Sequence, residues 1–313
     1  MEVSGFLGYA VFFLSLAGIY GILALGLNVQ WGFTGLFNIG IAGFFAVGAY
    51  TAAILTTPPS ASHLGGYGLP FLAGAGAAML LSGLLAVAIG LITLNLRTDY
   101  LAIATIGIAE IVRLVFKNEA WLTNGVRGIP GISRPWDAGA LGYLGVIVAA
   151  LLLVYLAIER ARRSPWGRVL RAIRENEPAA EAAGKNIFRF RLEAFVFGSM
   201  IMGLGGALYA HFVGFISPEA FEPLYGTFLI WVMLIAGGSG NNRGALLGAF
   251  LIWLVWSATE IFTSRLPAEL VTQAGALRVL LIGLLLQVIL LLRPEGLLPE
   301  HQPKVKPAPQ SKE

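Results

Sequence analysis

Long apolar stretches recur along the whole chain, separated by short connections rich in Gly, Pro, Asn and charge. Nine such stretches stand near residues 6–27, 33–56, 69–94, 99–117, 141–159, 193–215, 224–239, 243–263 and 275–292. A helix needs roughly 20 mostly apolar residues to cross the hydrocarbon core of a bilayer. All but the seventh stretch approach or exceed that length. The runs are continuous rather than alternating, which favours helices over a lipid-facing barrel. The pattern therefore predicts an all-α polytopic membrane protein with about nine transmembrane helices, within a range of roughly eight to ten. The least regular point is 28–40, where Gly32, Gly35 and Gly40 accompany Asn28 and Asn38 at a helix junction. It reads either as a plain turn or as a broken helix dipping into the membrane.

One polar island interrupts the pattern. Residues 160–191 hold nine Lys/Arg, with Glu175, Glu177 and Glu181 among them, between two apolar stretches. A connection this basic stays cytoplasmic. Five predicted spans precede it and four follow it, so the N-terminus is expected outside and the C-terminus in the cytoplasm. The connections 57–68, 117–140, 216–223 and 264–274 are then external. Residues 1–298 read as a single transmembrane domain, with 160–192 as a cytoplasmic loop long enough to fold and grip a soluble partner. The tail 299–313 is rich in Pro, Lys and Gln and is predicted to be disordered. The N-terminus has no basic region, so the first span is expected to be permanent rather than a cleaved signal.

Composition agrees. Hydrophobic residues make up 57% of the 313 and charged residues 12%, with a mean hydropathy of +0.77. A soluble domain carries about 25% charged residues, so the solvent is a lipid bilayer. A net charge of +4 and a pI near 9.4 invite a nucleic-acid reading. Sidedness removes it, because fifteen of the 21 Lys/Arg fall on the expected cytoplasmic side and five outside, while Arg113 lies within a span. Forty glycines suit close helix packing in lipid. With no cysteine there is neither a disulfide framework nor a thiolate metal site.

The chemistry that is missing narrows the function. The chain has no GxxxxGK[ST] loop, so it is not expected to hydrolyse ATP itself. His63, His211 and His301 stand apart and HExxH is absent, which leaves a zinc protease unsupported. Ser4, Ser15, Ser82, Ser199 and Ser257 have no base nearby in sequence, so neither catalysis nor a cofactor is expected.

Three constellations carry meaning. In 171–184, Arg168, Arg171 and Arg174 share one helical face. Pro178 suits the first turn of a new helix, Ala179, Ala180, Ala182 and Ala183 favour it, and Gly184 ends it. The product is a short, smooth helix framed by charge, either a docking element or an amphipathic helix held by anionic lipid. Glu110 and Arg113, three apart in the fourth span, can neutralise each other, either lining a pathway or fixing helix register. Asn28, Gln30, Trp31, Thr34 and Asn38 either cap helices at the interface or belong to a broken helix. The free N–H groups of a broken helix would attract a substrate carboxylate.

The strings at 26–50 (GLNVQWGFTGLFNIGIAGFFAVGAY), 97–115 (RTDYLAIATIGIAEIVRLV), 165–177 (PWGRVLRAIRENE) and 293–299 (RPEGLLP) resemble the branched-chain amino-acid permease family of ABC importers. The resemblance runs from about residue 10 to 299. The 171–184 stretch resembles their cytoplasmic coupling loop, in which Glu-Ala-Ala is followed by Gly after three residues. Ala179, Ala180 and Gly184 match, while Pro178 stands in the Glu position. The resemblance implies that Arg171, Arg174, Glu177, Pro178, Ala179, Ala180 and Gly184 meet an ATPase. It also implies a location in the cell inner membrane and a second, different permease subunit. Two cytoplasmic ATP-binding subunits and an extracytoplasmic substrate-binding protein complete the set. Related permeases for urea, short amides or other small carboxylates remain alternatives. At 237–249 the chain departs from relatives, with Asn241, Asn242, Arg243 and Ala245 in place of an aromatic and Gly-Pro. A self-sufficient ion-coupled transporter is the rival class, with Glu110 and His211 as its candidate sites.

Overall fold

The computed structural model describes residues 2–60, 62–137, 139–263 and 271–300. The first apolar stretch forms α1 (Glu2–Leu27), which runs on into a π-turn at Asn28–Gly32. An irregular segment follows, and α2 (Ile41–Thr56) begins only after it. Next come α3 (Phe71–Thr93), α4 (Thr98–Asn118), the single turn α5 (Ala120–Thr123) and α6 (Ala140–Arg163). The polar island folds as α7 (Pro165–Glu175) and α8 (Glu177–Ala182). Beyond it lie α9 (Ile187–Val213), a π-turn at Leu224–Phe228 leading into α10 (Leu229–Gly237), α11 (Asn242–Thr263) and α12 (Val271–Leu292). Two short strands, β1 (Ile129–Pro130) and β2 (Phe215–Ile216), pair antiparallel with Ile129 opposite Ile216.

Each of the nine expected stretches contains a helix. Among the described residues, five of these helices have the length and hydropathy to cross a membrane: Gly5–Gly32, Phe71–Thr93, Ala140–Arg163, Ile187–Val213 and Gly275–Leu292. Ile41–Thr56 and Leu224–Gly237 are apolar but shorter, and α4 carries four charges. The largest departure is in the second stretch, where the pattern places a helix from residue 33 and α2 starts at Ile41. The carbonyl of Gln30 is taken both by the Thr34 hydroxyl and by the N–H of Leu36, so the regular ladder ends there. At 1.5 Å per residue, the sixteen residues of α2 cover about 24 Å, short of a roughly 30 Å core.

Small residues hold the centre together. α9 packs against α1, α2 and α3. A methyl group at Gly48 would collide with the carbonyl of Gly203, and one at Gly206 with that of Phe45. Bare backbones are what let α2 and α9 approach this closely.

The connections sort to two ends. At one end lie 35–37, 94–98 and the island, which share a cleft, together with 238–241 and 293–300. At the other end Leu64 bonds to Trp121, β1 pairs with β2, and Phe71 meets Trp136. Successive helices therefore alternate in direction, as the predicted connections require. Of the expected external connection 264–274, residues 264–270 lie outside the described residues. So does the tail 301–313, with His301 and the tail lysines. Pro299 and Glu300, placed in the disordered tail by sequence, are instead held against the bundle.

Candidate functional site

The break between α1 and α2 is knitted by neutral side chains. Asn28, Gln30, Thr34 and Asn38 are all buried. Gln30 Nε2 donates to the Phe195 carbonyl at 2.8 Å and to Ser199 Oγ at 3.0 Å, both on α9, and its Oε1 accepts from Asn38 Nδ2 at 2.8 Å. Asn38 Oδ1 in turn accepts from the N–H of Gly40 at 2.7 Å. Thr105 of α4 and Thr227 before α10 accept from the N–H groups of Ile39 and Ala42. Irregular backbone inside such a bundle survives only where protein supplies its hydrogen bonds, and α4, the stretch before α10 and the break's own side chains do so here. Asn28, Gln30, Thr34 and Asn38 are thus gathered at a break in the helical backbone, with side-chain partners on α9.

Beside the break stands an aromatic trio. Trp31, Phe37 and Trp231 pack with ring centroids 4.9–5.4 Å apart. The Trp231 indole donates to the Asn38 carbonyl at 3.0 Å. Phe37, Ile39, Ile106, Phe228, Trp231 and Ile235 line an open apolar slot of about 330 Å³.

The island is built by local caps. Ser164 Oγ accepts from Gly167 N to start α7, and Asn186 Oδ1 accepts from Arg189 N to start α9. Asn176 Oδ1 accepts from Ala179 N to start α8. α8 ends in a Schellman motif: Lys185 N donates to Ala180 O, Gly184 N donates to Glu181 O, and Gly184 sits at φ +77°. Glu177 is clamped to α9 by both guanidinium nitrogens of Arg191, at 2.9 and 2.7 Å. Ala180 is buried against the bundle, whereas Pro178, Ala179, Ala182 and Ala183 are exposed and form a smooth face. Under the same end lies a cleft of about 740 Å³ with Arg97, Glu177, Glu181, Lys185 and Arg191 on its walls.

Arg174 joins island to break. Its guanidinium donates to the Gly32 carbonyl at the end of the π-turn, and Nη2 meets Glu300 Oε2 at 2.6 Å. Arg171 Nη1 stands 3.9 Å from Glu300 Oε1. A parallel chain runs from the Gly240 N–H to Asn28 Oδ1 (2.8 Å), from Asn28 Nδ2 to Asn242 Oδ1 (3.0 Å), and from Asn242 Nδ2 to Glu159 Oε2 (2.9 Å). Glu159 also receives Arg162 and Arg163. Sequence reasoning passed over Glu159, Trp231 and Glu300, and it noted Ser199 and Asn242 without connecting them to the break. Asn242 carried a signal, since it sits where the chain departs from its relatives. The departure is a built hydrogen-bond site that also contacts the break.

Glu110 and Arg113 lie elsewhere. They form a bidentate pair, Nε to Oε2 at 2.9 Å and Nη2 to Oε1 at 2.5 Å. Glu110 is five residues beyond Thr105, about 7.5 Å further along α4, so the pair is not part of the cluster at the break. His211 is buried between Thr56, at 3.0 Å, and the Ala207 carbonyl, far from the island.

A family model described as the permease component of the branched-chain amino acid transport system matches residues 9–290. The high-affinity branched-chain amino acid transport system permease protein LivM of Salmonella typhimurium is 35% identical, covering 92% of this chain and 69% of its own. The probable branched-chain amino acid transport permease protein LivM of Methanocaldococcus jannaschii is 30% identical over 90% of this chain and 91% of its own. LivH, a second permease protein of the S. typhimurium system, is 23% identical over 91% and 92%. No solved structure matches. Multi-pass in architecture and matched over nearly its whole length, the chain belongs to the branched-chain amino-acid transport permease family.

Proposed function

We propose that this chain is one permease subunit of an ABC importer for branched-chain, hydrophobic amino acids. It forms part of the translocation pathway in the cell inner membrane, with the island end and the C-terminus in the cytoplasm. LivM and LivH relatives from one organism support a pathway built with a second, different permease. Two cytoplasmic ATP-binding subunits drive it, and an extracytoplasmic binding protein delivers substrate. The observation that carries the reading is the exposed alanine face of α8, presented at the same end as a helix broken inside the bundle. Such a face suits a groove in an ATPase. The backbone N–H groups of the break are largely taken within the protein, and the slot beside it offers an apolar wall for an aliphatic side chain. Closure of the ATPases would press on α8 and α7 and shift the break, alternating access between the two sides.

Ala180 and Gly184 match the coupling-loop pattern, but neither is a clean position for a bulky substitution. Ala180 points into the bundle, and Gly184 has a φ that strains any side chain. Ala179→Trp and Ala183→Trp alter only the exposed face. They are expected to abolish ATPase co-purification and ATP-dependent leucine uptake in proteoliposomes, while membrane insertion stays intact. Normal ATPase association and uptake in both variants would reject α8 as the docking element. Leucine uptake that survives ATP depletion but stops with a protonophore would favour an ion-coupled transporter.

A further inference from the structure

The segment after α12 does more than end the chain. Leu297 N donates to the Ala236 carbonyl and Leu298 N to that of Gly237, at 3.0 and 2.9 Å, satisfying the last carbonyls of α10. Asn241 Nδ2 holds the carbonyls of Leu298 and Pro299, each at 3.2 Å. Residues 297–300 thus form a strap pinned to the turn between α10 and α11. At its end Glu300, with a side chain 12% exposed, receives Arg174 at 2.6 Å and has Arg171 within 3.9 Å. The other terminal nitrogen of Arg174 is on the Gly32 carbonyl.

We propose that Arg174 is the positioning residue through which the island moves the broken helix, and that Glu300 on the strap holds it in place. This rests on the importer reading and deepens it by naming the tie between docking helix and pathway. The physical case is directional. A long arginine spans from α7 to a backbone carbonyl on another element. Its other carboxylate neighbour, Glu175 on α7 itself at 3.8 Å, has a side chain 66% exposed and would let the guanidinium swing towards water. Glu300 removes that freedom, and the strap's backbone bonds fix Glu300 to α10. A displacement of α7 is then delivered to Gly32 rather than lost in side-chain rotation. The notion that Arg171 and Arg174 touch the ATPase directly gives way to an inward role in this arrangement.

The test uses the importer assembled with its companion subunits in proteoliposomes, reading leucine taken up per ATP hydrolysed. Glu300→Gln should leave assembly and ATP hydrolysis in place, while uptake per ATP falls about tenfold, within the usual range of coupling between sites. Arg174→Gln should lose at least as much, and the double variant no more than Arg174→Gln alone. Unchanged coupling in Glu300→Gln, or losses that multiply in the double variant, would overturn the tie. A second measurement does not depend on Arg174 variants folding. The chain has no native cysteine, so Asn241→Cys with Pro299→Cys can be joined by a short thiol cross-linker. Because the strap acts as a fixed anchor, transport should survive the cross-link; its loss would overturn the anchor. Uptake by the unmodified assembly without ATP would overturn the importer reading and the tie together, whereas the variant results bear on the tie alone.

Discussion

Two polar groups interrupt the apolar helices, one inside the bundle and one at its surface, and they solve the same problem in opposite ways. At the break, uncharged amides and hydroxyls on α1, α9, α4 and the stretch before α10 satisfy one another across the fold. On α4, a carboxylate and a guanidinium, Glu110 and Arg113, satisfy each other within one turn of one helix. Remove one member of the first group and groups on other elements lose partners. Remove both members of the second and nothing else is left wanting. Neutral networks tie elements together and hold an unusual backbone shape, whereas a local ion pair makes a charged helix tolerable in lipid. On this difference we propose that the break serves function and the pair fixes helix register.

The strongest test of the comparison is Gln30→Met. It keeps the side-chain volume but leaves the Ser199 hydroxyl, the Phe195 carbonyl and the Asn38 amide short of partners. An unsatisfied buried polar group costs about 1–3 kcal/mol, so a loss of about 3 kcal/mol is expected, read from thermal unfolding in detergent. Uptake should fall with it. A variant as stable as the parent would show that the break does not depend on its amides.

Glu110→Ala comes next. It strands Arg113, whose side chain is only 16% exposed, in a predicted span. An unpaired arginine at a helix centre costs about 2.5–3.5 kcal/mol on insertion scales. Arginine can snorkel towards the interface, so about 2 kcal/mol of destabilisation is expected. Uptake per folded molecule should be unchanged. A transport defect in well-folded protein would move the pair from register to pathway.

What could be read from sequence follows from how far each cause reaches along the chain. α8 was legible because its caps and breakers act locally: Pro178 starts it, Gly184 stops it, and Asn176 is two residues from Pro178. Its inward and outward faces were not, since Ala179 and Ala180 are alike until the bundle is placed beneath them. The break announced itself through its asparagines and glycines, but hydropathy continued a helix from residue 33, because it is blind to the hydrogen bonds that end one. The partners of the break were hidden for a different reason. Asn28 meets Asn242 and Gln30 meets Ser199 across more than 160 residues, and no periodicity records such pairing. Glu300 stood in a segment whose composition signals disorder, yet backbone bonds to the end of α10, the Asn241 amide and two arginines hold its first residues.

A smaller effect is expected from Trp231→Phe, which keeps a ring in the aromatic trio and removes the indole bond to Asn38. One hydrogen bond of this kind contributes about 1 kcal/mol. Uptake should persist with a modest loss of stability. If the substrate's aliphatic side chain does pass along the slot, the apparent affinity for leucine should also change, measured as a shift in half-saturation. No shift would remove Trp231 from the pathway while leaving its support of the break intact.

The smallest effect sharpens the comparison most. Glu110→Ala together with Arg113→Leu removes both charges and leaves an apolar helix face. If the pair is self-contained, the double variant should lie within about 0.5 kcal/mol of the parent, well below the loss in Glu110→Ala alone, and the cycle should show strong coupling. The same cycle on Gln30 and Ser199 should behave differently, because Gln30 also serves Phe195 and Asn38, so the double loss stays large. Should the Glu110/Arg113 double variant instead be as damaged as Gln30→Met, the pair must have partners beyond itself. The turn at Pro218–Phe221, which packs on α4, is the place to look for them, since Glu219 and its neighbour Glu222 bring further carboxylates to that end of the helix.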